Sequence, residues 1–249
     1  MVKPVTPPTK RADQLGAKPK RFWKAVAVTQ ADDGFDVRLD GRPVKTPSGK
    51  ALVLPALALA DAVAAEWSAV ADFVDYEAMP LTRLAFAAID RMPAVEADTV
   101  AEVRRFADTD LLCYPSTYPD TLAQREQAAW SPVLAWADAA LDLQFHIRQS
   151  VIHQPQPPET LDRLAALVSN MSPWEQAGLM AAAPLFGSVI LAVALWRGHI
   201  DGAGAFAASR IGEDFQSETW GDDAEAFVRA SNMKSQALAL ETWFAALRS

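Results

Sequence analysis

The 249-residue chain contains one cysteine, Cys113, and three histidines, His146, His153 and His199. A single thiol forbids an intrachain disulfide, which fits a reducing compartment. The histidines lack the spacing of a zinc site and read as ordinary loop or surface residues. Phosphate-binding loops are missing too. Ser48-Gly49-Lys50-Ala51 holds a Gly-Lys pair, but no glycine stands five positions earlier and no hydroxyl residue follows the lysine. The pair is better explained as a hairpin turn. Gly202-Ala203-Gly204 lacks the third glycine and preceding strand of a dinucleotide site, and there is no Gly-x-Ser-x-Gly elbow. Cys113 has neither a cation nor a helix start beside it in sequence, so it reads as a small buried hydrophobe.

Basic charge is scarce beyond the N-terminus. Up to Arg21 there are six basic residues and one acid, Asp13; the remainder carries 17 basic and 30 acidic residues. Such a body repels phosphates and excludes nucleic acid as a natural partner. A basic or mixed protein surface suits it better. The first 21 residues contain no apolar run, so they do not form a secretory signal. Four prolines disfavour an amphipathic helix there, and residues 1–21 are expected to be a disordered basic tail.

Apolar residues make up 51% of the chain, enough for a sizeable core. The longest charge-free run, Ala177 to Trp196, could span a bilayer by length. It is Ala-rich and contains Pro184, Gly187 and Ser188. That composition favours one central helix buried on all sides, capped by Gly198, with no membrane insertion.

Two textures follow each other. From Phe22 to Leu54 the pattern is β. Phe35, Val37 and Leu39 alternate with Asp36, Arg38 and Asp40, and Asp32-Asp33-Gly34, Asp40-Gly41 and Pro47-Ser48-Gly49 mark turns. A meander of three or four antiparallel strands is expected. From Pro55 the period becomes helical, with Leu59, Val63, Trp67 and Val70 on one stripe, and this helix is expected to pack on the sheet. Beyond Met79-Pro80 the chain reads as helices. Pro132 is expected to kink or restart one of them, Phe145–Ile152 to be extended, and Ser172-Pro173-Trp174-Glu175 to be a capping box. Phe206, Arg210 and Phe215 suggest one further helix, and Asp222 with Glu225 opens a long last one. The expected class is α+β: a small antiparallel β-meander domain with a packed helix over 22–79, then a larger all-α domain over 80–249.

The stretch from Glu213 to Glu225 places six carboxylates, Trp220 and Gly221 between two helical patterns. Three readings stand. As a helix junction, Trp220-Gly221 is a sharp turn with a packed indole, and Asp222 and Glu225 favour the next helix start. As a docking surface, an aromatic centre with an acidic rim orients a partner. As a reaction centre, Glu213 and Glu218 are the paired carboxylates of a metal-assisted hydrolase.

Several short pieces, in order, carry a family resemblance. They are Phe22-Trp23-Lys24, Leu39 to Gly49, Glu66-Trp67, Met79-Pro80-Leu81-Thr82, Ile89-Asp90, Asp110 to Tyr114, Gln154-Pro155, Gly187-Ser188, and Phe215-Gln216 through Asp222. Together they resemble the ATP synthase assembly factors that chaperone the α subunit of the F-type catalytic head. The resemblance covers nearly the whole chain from Phe22 onward. It implies a β-rich N-terminal part and a helical C-terminal part. It also implies a non-enzymatic protein without cofactor or metal, which binds the free α subunit and shields the surface that later meets the β subunit. Such proteins act in mitochondria and in some bacteria; a bacterial cytoplasmic member, monomeric when free, is expected. The importance the family attaches to C-terminal acidic residues falls on Glu213, Glu218, Asp222, Asp223 and Glu225, with Trp220 at the centre of the patch.

Overall fold

The computed structural model describes residues 18–148, 154–221 and 224–249. The expectation of a loose tail over 1–17 lies outside these residues. Lys18 to Arg21, assigned to the same tail, are part of the fold. The Val74 amide donates to the Pro19 carbonyl at 2.7 Å, and the Arg21 amide to that of Asp72 at 2.8 Å. Lys18 also pairs with Asp75. The fold therefore begins before Phe22.

Four strands form one antiparallel sheet: β1 (Val26–Ala31), β2 (Gly34–Leu39), β3 (Arg42–Pro43) and β4 (Val53–Leu54). The β1–β2 hairpin pairs Val26 with Leu39 and Ala31 with Gly34. Asp40 (φ 48°) and Gly41 (φ 80°) supply the two positive φ values of the next turn, as the Asp-Gly pair predicts. The arrangement is not a simple meander. Both β3 and β4 pair with β2, β3 near Leu39 and β4 near Phe35. Residues 44–52 form an arm between them, closed by Thr46 N donating to Lys50 O at 2.9 Å. Val37, Leu39, Leu52 and Leu54 are buried on the inner face.

Helix α1 (Leu57–Ala69) covers that face with Leu59, Val63 and Trp67, as its stripe predicts. Pro55 precedes its N-cap, Ala56, instead of starting the helix. Then come α2 (Pro80–Asp90), α3 (Glu96–Asp108), α4 (Asp120–Leu141), α5 (Pro158–Ser169), α6 (Pro173–Phe186), α7 (Val189–Arg197), α8 (Gly202–Ser209), α9 (Ile211–Trp220) and α10 (Ala224–Arg248). The fold class is α+β, a small N-terminal sheet followed by a larger helical part.

Four local expectations change. The run from Ala177 to Trp196 is two helices, not one. Gly187 ends α6 with φ 62°, and the Ser188 hydroxyl accepts the Leu191 amide to start α7. Among the described residues no helix is long and apolar enough to cross a membrane. The expected single helix through Phe206 and Phe215 breaks at Arg210 into α8 and α9. Helix α4 runs unbroken through Pro132, which faces solvent while Trp130, Val133 and Ala137 are buried beside it. Burying side chains of this size is worth about 1.5–3 kcal/mol each, enough to offset the lost hydrogen bond. Residues 145–148 form no strand, and the rest of that expected extended segment lies outside the described residues.

The predicted capping box is present. Ser172 and Glu175 exchange side-chain to backbone bonds, and Glu175 Oε1 also accepts from Trp196 Nε1 at 2.9 Å, tying α7 back to α6.

Candidate functional site

Helix α9 leaves the bundle at Arg210. In its first turn, Asp214 accepts from Arg210 Nε at 3.3 Å. One turn on, Glu218 receives both bonds from Nη1 of Arg125 on α4, at 2.7 and 2.9 Å. The same guanidinium lies 5.4 Å from the Phe215 ring centre. Thus α9 is clamped to α4 by one arginine that satisfies a carboxylate and an aromatic face together. All of these groups are at least partly exposed, so the clamp orients more than it stabilises.

Helix α9 ends at Gly221, whose φ of 93° suits glycine. The indole expected to pack is not packed: Trp220 is 79% exposed. In the first turn of α10, Glu225 pairs with Arg229 at 2.7 Å. Phe227 (70%) and Val228 (57%) project from the same turns. Large apolar side chains so exposed and so close in sequence are uncommon on a monomer surface. Asp222 and Asp223 lie outside the described residues.

The predicted site residues therefore sort as follows. Glu213 and Glu218 are five residues apart on one helix, about 140° around its axis, so they do not converge as a catalytic pair. Glu218 is held by Arg125, and Glu225 by Arg229. Among the described residues no group of three or more His, Cys, Asp and Glu is placed to hold a metal ion. Cys113 is buried, and burial pushes its thiol far above the usual range.

Glu213 belongs to a different feature. It stands at the rim of a pocket of about 500 Å³ under α9, whose floor includes Glu126, Trp130 and Phe186. A wider groove of about 1010 Å³ lies between α2, α3, α6 and α10, with Met92, Met180 and Leu240 on its walls.

Sequence reasoning missed the carboxylates, half-buried at Glu66 and Asp90 and buried at Glu126, that join the elements. Glu66 on α1 accepts the Leu81 and Thr82 amides, each at 2.8 Å, and so caps α2. Burial raises its pKa against those bonds. Asp90 on α2 accepts from Thr46 Oγ1 at 2.9 Å and from Ser48 N at 3.1 Å, holding the arm of the sheet. Glu126 accepts from the amide and hydroxyl of Ser116. The available signal was that Glu66, Asp90 and Asp110 fall inside the resembling pieces, where the short motifs mark joints.

A family model described as "ATP12 chaperone protein" matches residues 20–138. The Schizosaccharomyces pombe protein described as "Protein atp12, mitochondrial" is 27% identical over 214 residues, covering 81% of this chain and 74% of that protein. Among solved structures, Atp12 from Paracoccus denitrificans is 38% identical with a TM-score of 0.84, over 91% of this chain and 97% of that one. A point mutant of the same Paracoccus protein gives 37% and 0.85, over 92% and 99%.

Proposed function

The chain belongs to the ATP12 chaperone family, the ATP synthase assembly factors, and from that membership we propose that it binds the unassembled α subunit of the F-type catalytic head. It shields the face that later meets the β subunit and releases it as the hexamer forms. An unassembled subunit presents an apolar interface prone to aggregation. Covering that face needs an apolar contact of its own, oriented by charge so that the true partner can still displace it.

One observation carries the reading. Trp220, Phe227 and Val228 stand exposed at the α9–α10 turn, flanked by Glu218 and Glu225. The proposed client site comprises Glu213, Glu218, Trp220, Asp222, Asp223 and Glu225. The protein works without turnover, as a monomer before capture, in the compartment where the head assembles: the bacterial cytoplasm, or the mitochondrial matrix in a eukaryote. The sheet and α1, together with Lys18 to Arg21, serve as one domain up to residue 79, and 80–249 as the other.

Mixing the protein with aggregation-prone α subunit tests this. Light scattering should fall and a complex should elute from a sizing column. Undiminished scattering with separate elution of the two chains would overturn the proposal.

A further inference from the structure

The pocket beneath α9 has a composition that the exposed patch does not explain. Its floor carries Glu126, only 4% exposed, on α4. Among the described residues, no cation pairs with this carboxylate. Its partners are the Ser116 amide and the Ser116 hydroxyl, the latter at 3.0 Å. A carboxylate offers about four acceptor sites, so two of them remain. A buried charge without a counter-charge is costly, and a cation that reaches it gains correspondingly.

Two more features favour positive charge there. The last turn of α6, Pro184 to Phe186, lines the wall and brings the negative end of that helix to the pocket. Glu213 and Gln216, both exposed, stand at the rim. Among the described residues Arg210 is the one cation on the wall; its Nε donates to Asp214 at 3.3 Å, and its guanidinium lies 5.7 Å from the Phe206 ring centre. Apolar lining comes from Trp130 and Phe186 beside Glu126 and from Met233. A carboxylate on the floor, carboxylate and amide at the rim and an aromatic lining match an arginine side chain. Its stem packs against apolar walls while its planar fork meets paired oxygens.

We infer that this pocket captures an arginine side chain presented by the client, with Glu126 as the buried acceptor and Glu213 as the residue that draws it in. The inference rests on the chaperone reading and adds to it a specific anchor, set apart from the apolar patch at the α9–α10 turn. Arginine is enriched among residues that dominate binding, and a pocket that loses its water when filled is where such an anchor gains most. The rim carboxylate acts mainly on the encounter rate and is screened by salt; the floor carboxylate acts on dissociation.

The test uses the full chain and N-acetyl-arginine amide, with N-acetyl-lysine amide and N-acetyl-norleucine amide as controls. The Trp130 indole N–H donates to the Ala208 carbonyl at 2.8 Å and lines the pocket, so its nitrogen-15 resonance reports filling. The arginine probe should shift it saturably, the lysine probe more weakly and the norleucine probe not at all. Glu126→Gln keeps the shape and should weaken the arginine probe by about tenfold or more, the scale of a lost charge-assisted bond. Should Glu126→Gln fail to fold, Glu213→Gln, at an exposed position, is expected to fold and to weaken the probe severalfold with a smaller salt dependence. No saturable shift in the unmodified protein, equal shifts with norleucine, or unchanged probe affinity in the folded variant would each overturn the inference. Suppression of α-subunit aggregation that persists undiminished in Glu126→Gln would sink the pocket and leave the chaperone reading standing. Probe binding without α-subunit capture would do the reverse.

Discussion

Asp110 accepts a 2.7 Å hydrogen bond from the hydroxyl of Ser188 and thereby ties the turn after α3 to the break between α6 and α7. The same carboxylate accepts the Leu112 amide at 3.0 Å and the Ile190 amide at 3.1 Å. It has no exposed surface. One buried group thus holds the two interruptions, at 111–113 and 187–188, that let the central helices turn within the core.

That placement gives stability a definite pH dependence. Burial outweighs the hydrogen bonds and pushes the Asp110 pKa from 3.8 up to about 6. Between those values the folded state holds more protons than the unfolded chain. Its contribution is therefore most favourable below the window, and stability is lost as pH rises through it. The effect is at most roughly 3 kcal/mol, since one pKa unit is worth about 1.4. Urea denaturation of the unmodified protein and of Asp110→Asn across this window should differ in slope, the asparagine variant lacking the loss. Parallel slopes would mean that Asp110 titrates as an ordinary carboxylate.

A second prediction concerns packing between α6 and α10. A Cβ on Gly178 would lie 2.6 Å from the Phe244 ring and 2.9 Å from that of Trp243. Both rings are fully buried, so neither can swing away. Gly178→Ala should cost about 1–3 kcal/mol by overpacking, despite alanine's better helix propensity. A thermal melt checks the sign; stabilisation would show that the helices separate freely.

Much of this architecture was legible in the chain. The hairpins followed from Asp-Gly and Gly turn signals, the packed helix from the stripe Leu59, Val63 and Trp67, and the start of α6 from its capping box. The breaks were harder to see. Ala177 to Trp196 is uniformly apolar, and Gly187-Ser188 becomes an interruption only because Asp110, 78 residues from Ser188, is there to bond it. Arg210 stands between α8 and α9, and its pairing with Asp214 is a local i to i+4 contact that an unbroken helix would make equally, so the pair gives no sign of the break. At the site, the acidic cluster was visible, but the exposure of Trp220 was not. A Trp-Gly pair reads equally as a packed turn or a projecting one, and only the surrounding elements decide. The buried Glu126 had no local signal at all, since its partner is a loop serine.

The Arg125–Glu218 clamp supplies the third prediction. Charge reversal by Glu218→Lys removes the bridge and sets two cations face to face. Because both side chains are about half exposed, the cost to folding should stay near or below 1 kcal/mol. Capture of the α subunit should weaken clearly more than that, and more at low salt than at high. A variant that melts far lower while its folded fraction binds normally would make Glu218 a structural residue only.

Trp220 decides between the two apolar surfaces of the molecule. Its indole touches little of the bundle, so Trp220→Ala should change folding stability by no more than about 0.5 kcal/mol. If the α9–α10 turn is the centre of the client contact, the same change should weaken capture by at least about 2 kcal/mol, or roughly thirtyfold, as truncation of a central tryptophan does. Trp220→Phe should retain part of the affinity, because the ring still buries apolar area. Calorimetric titration of the two variants against the α subunit measures both effects. Unchanged affinity in Trp220→Ala would shift the client to the groove between α2, α3, α6 and α10. Its Met92 and Met180 walls are the other surface soft enough to accept an aggregation-prone face.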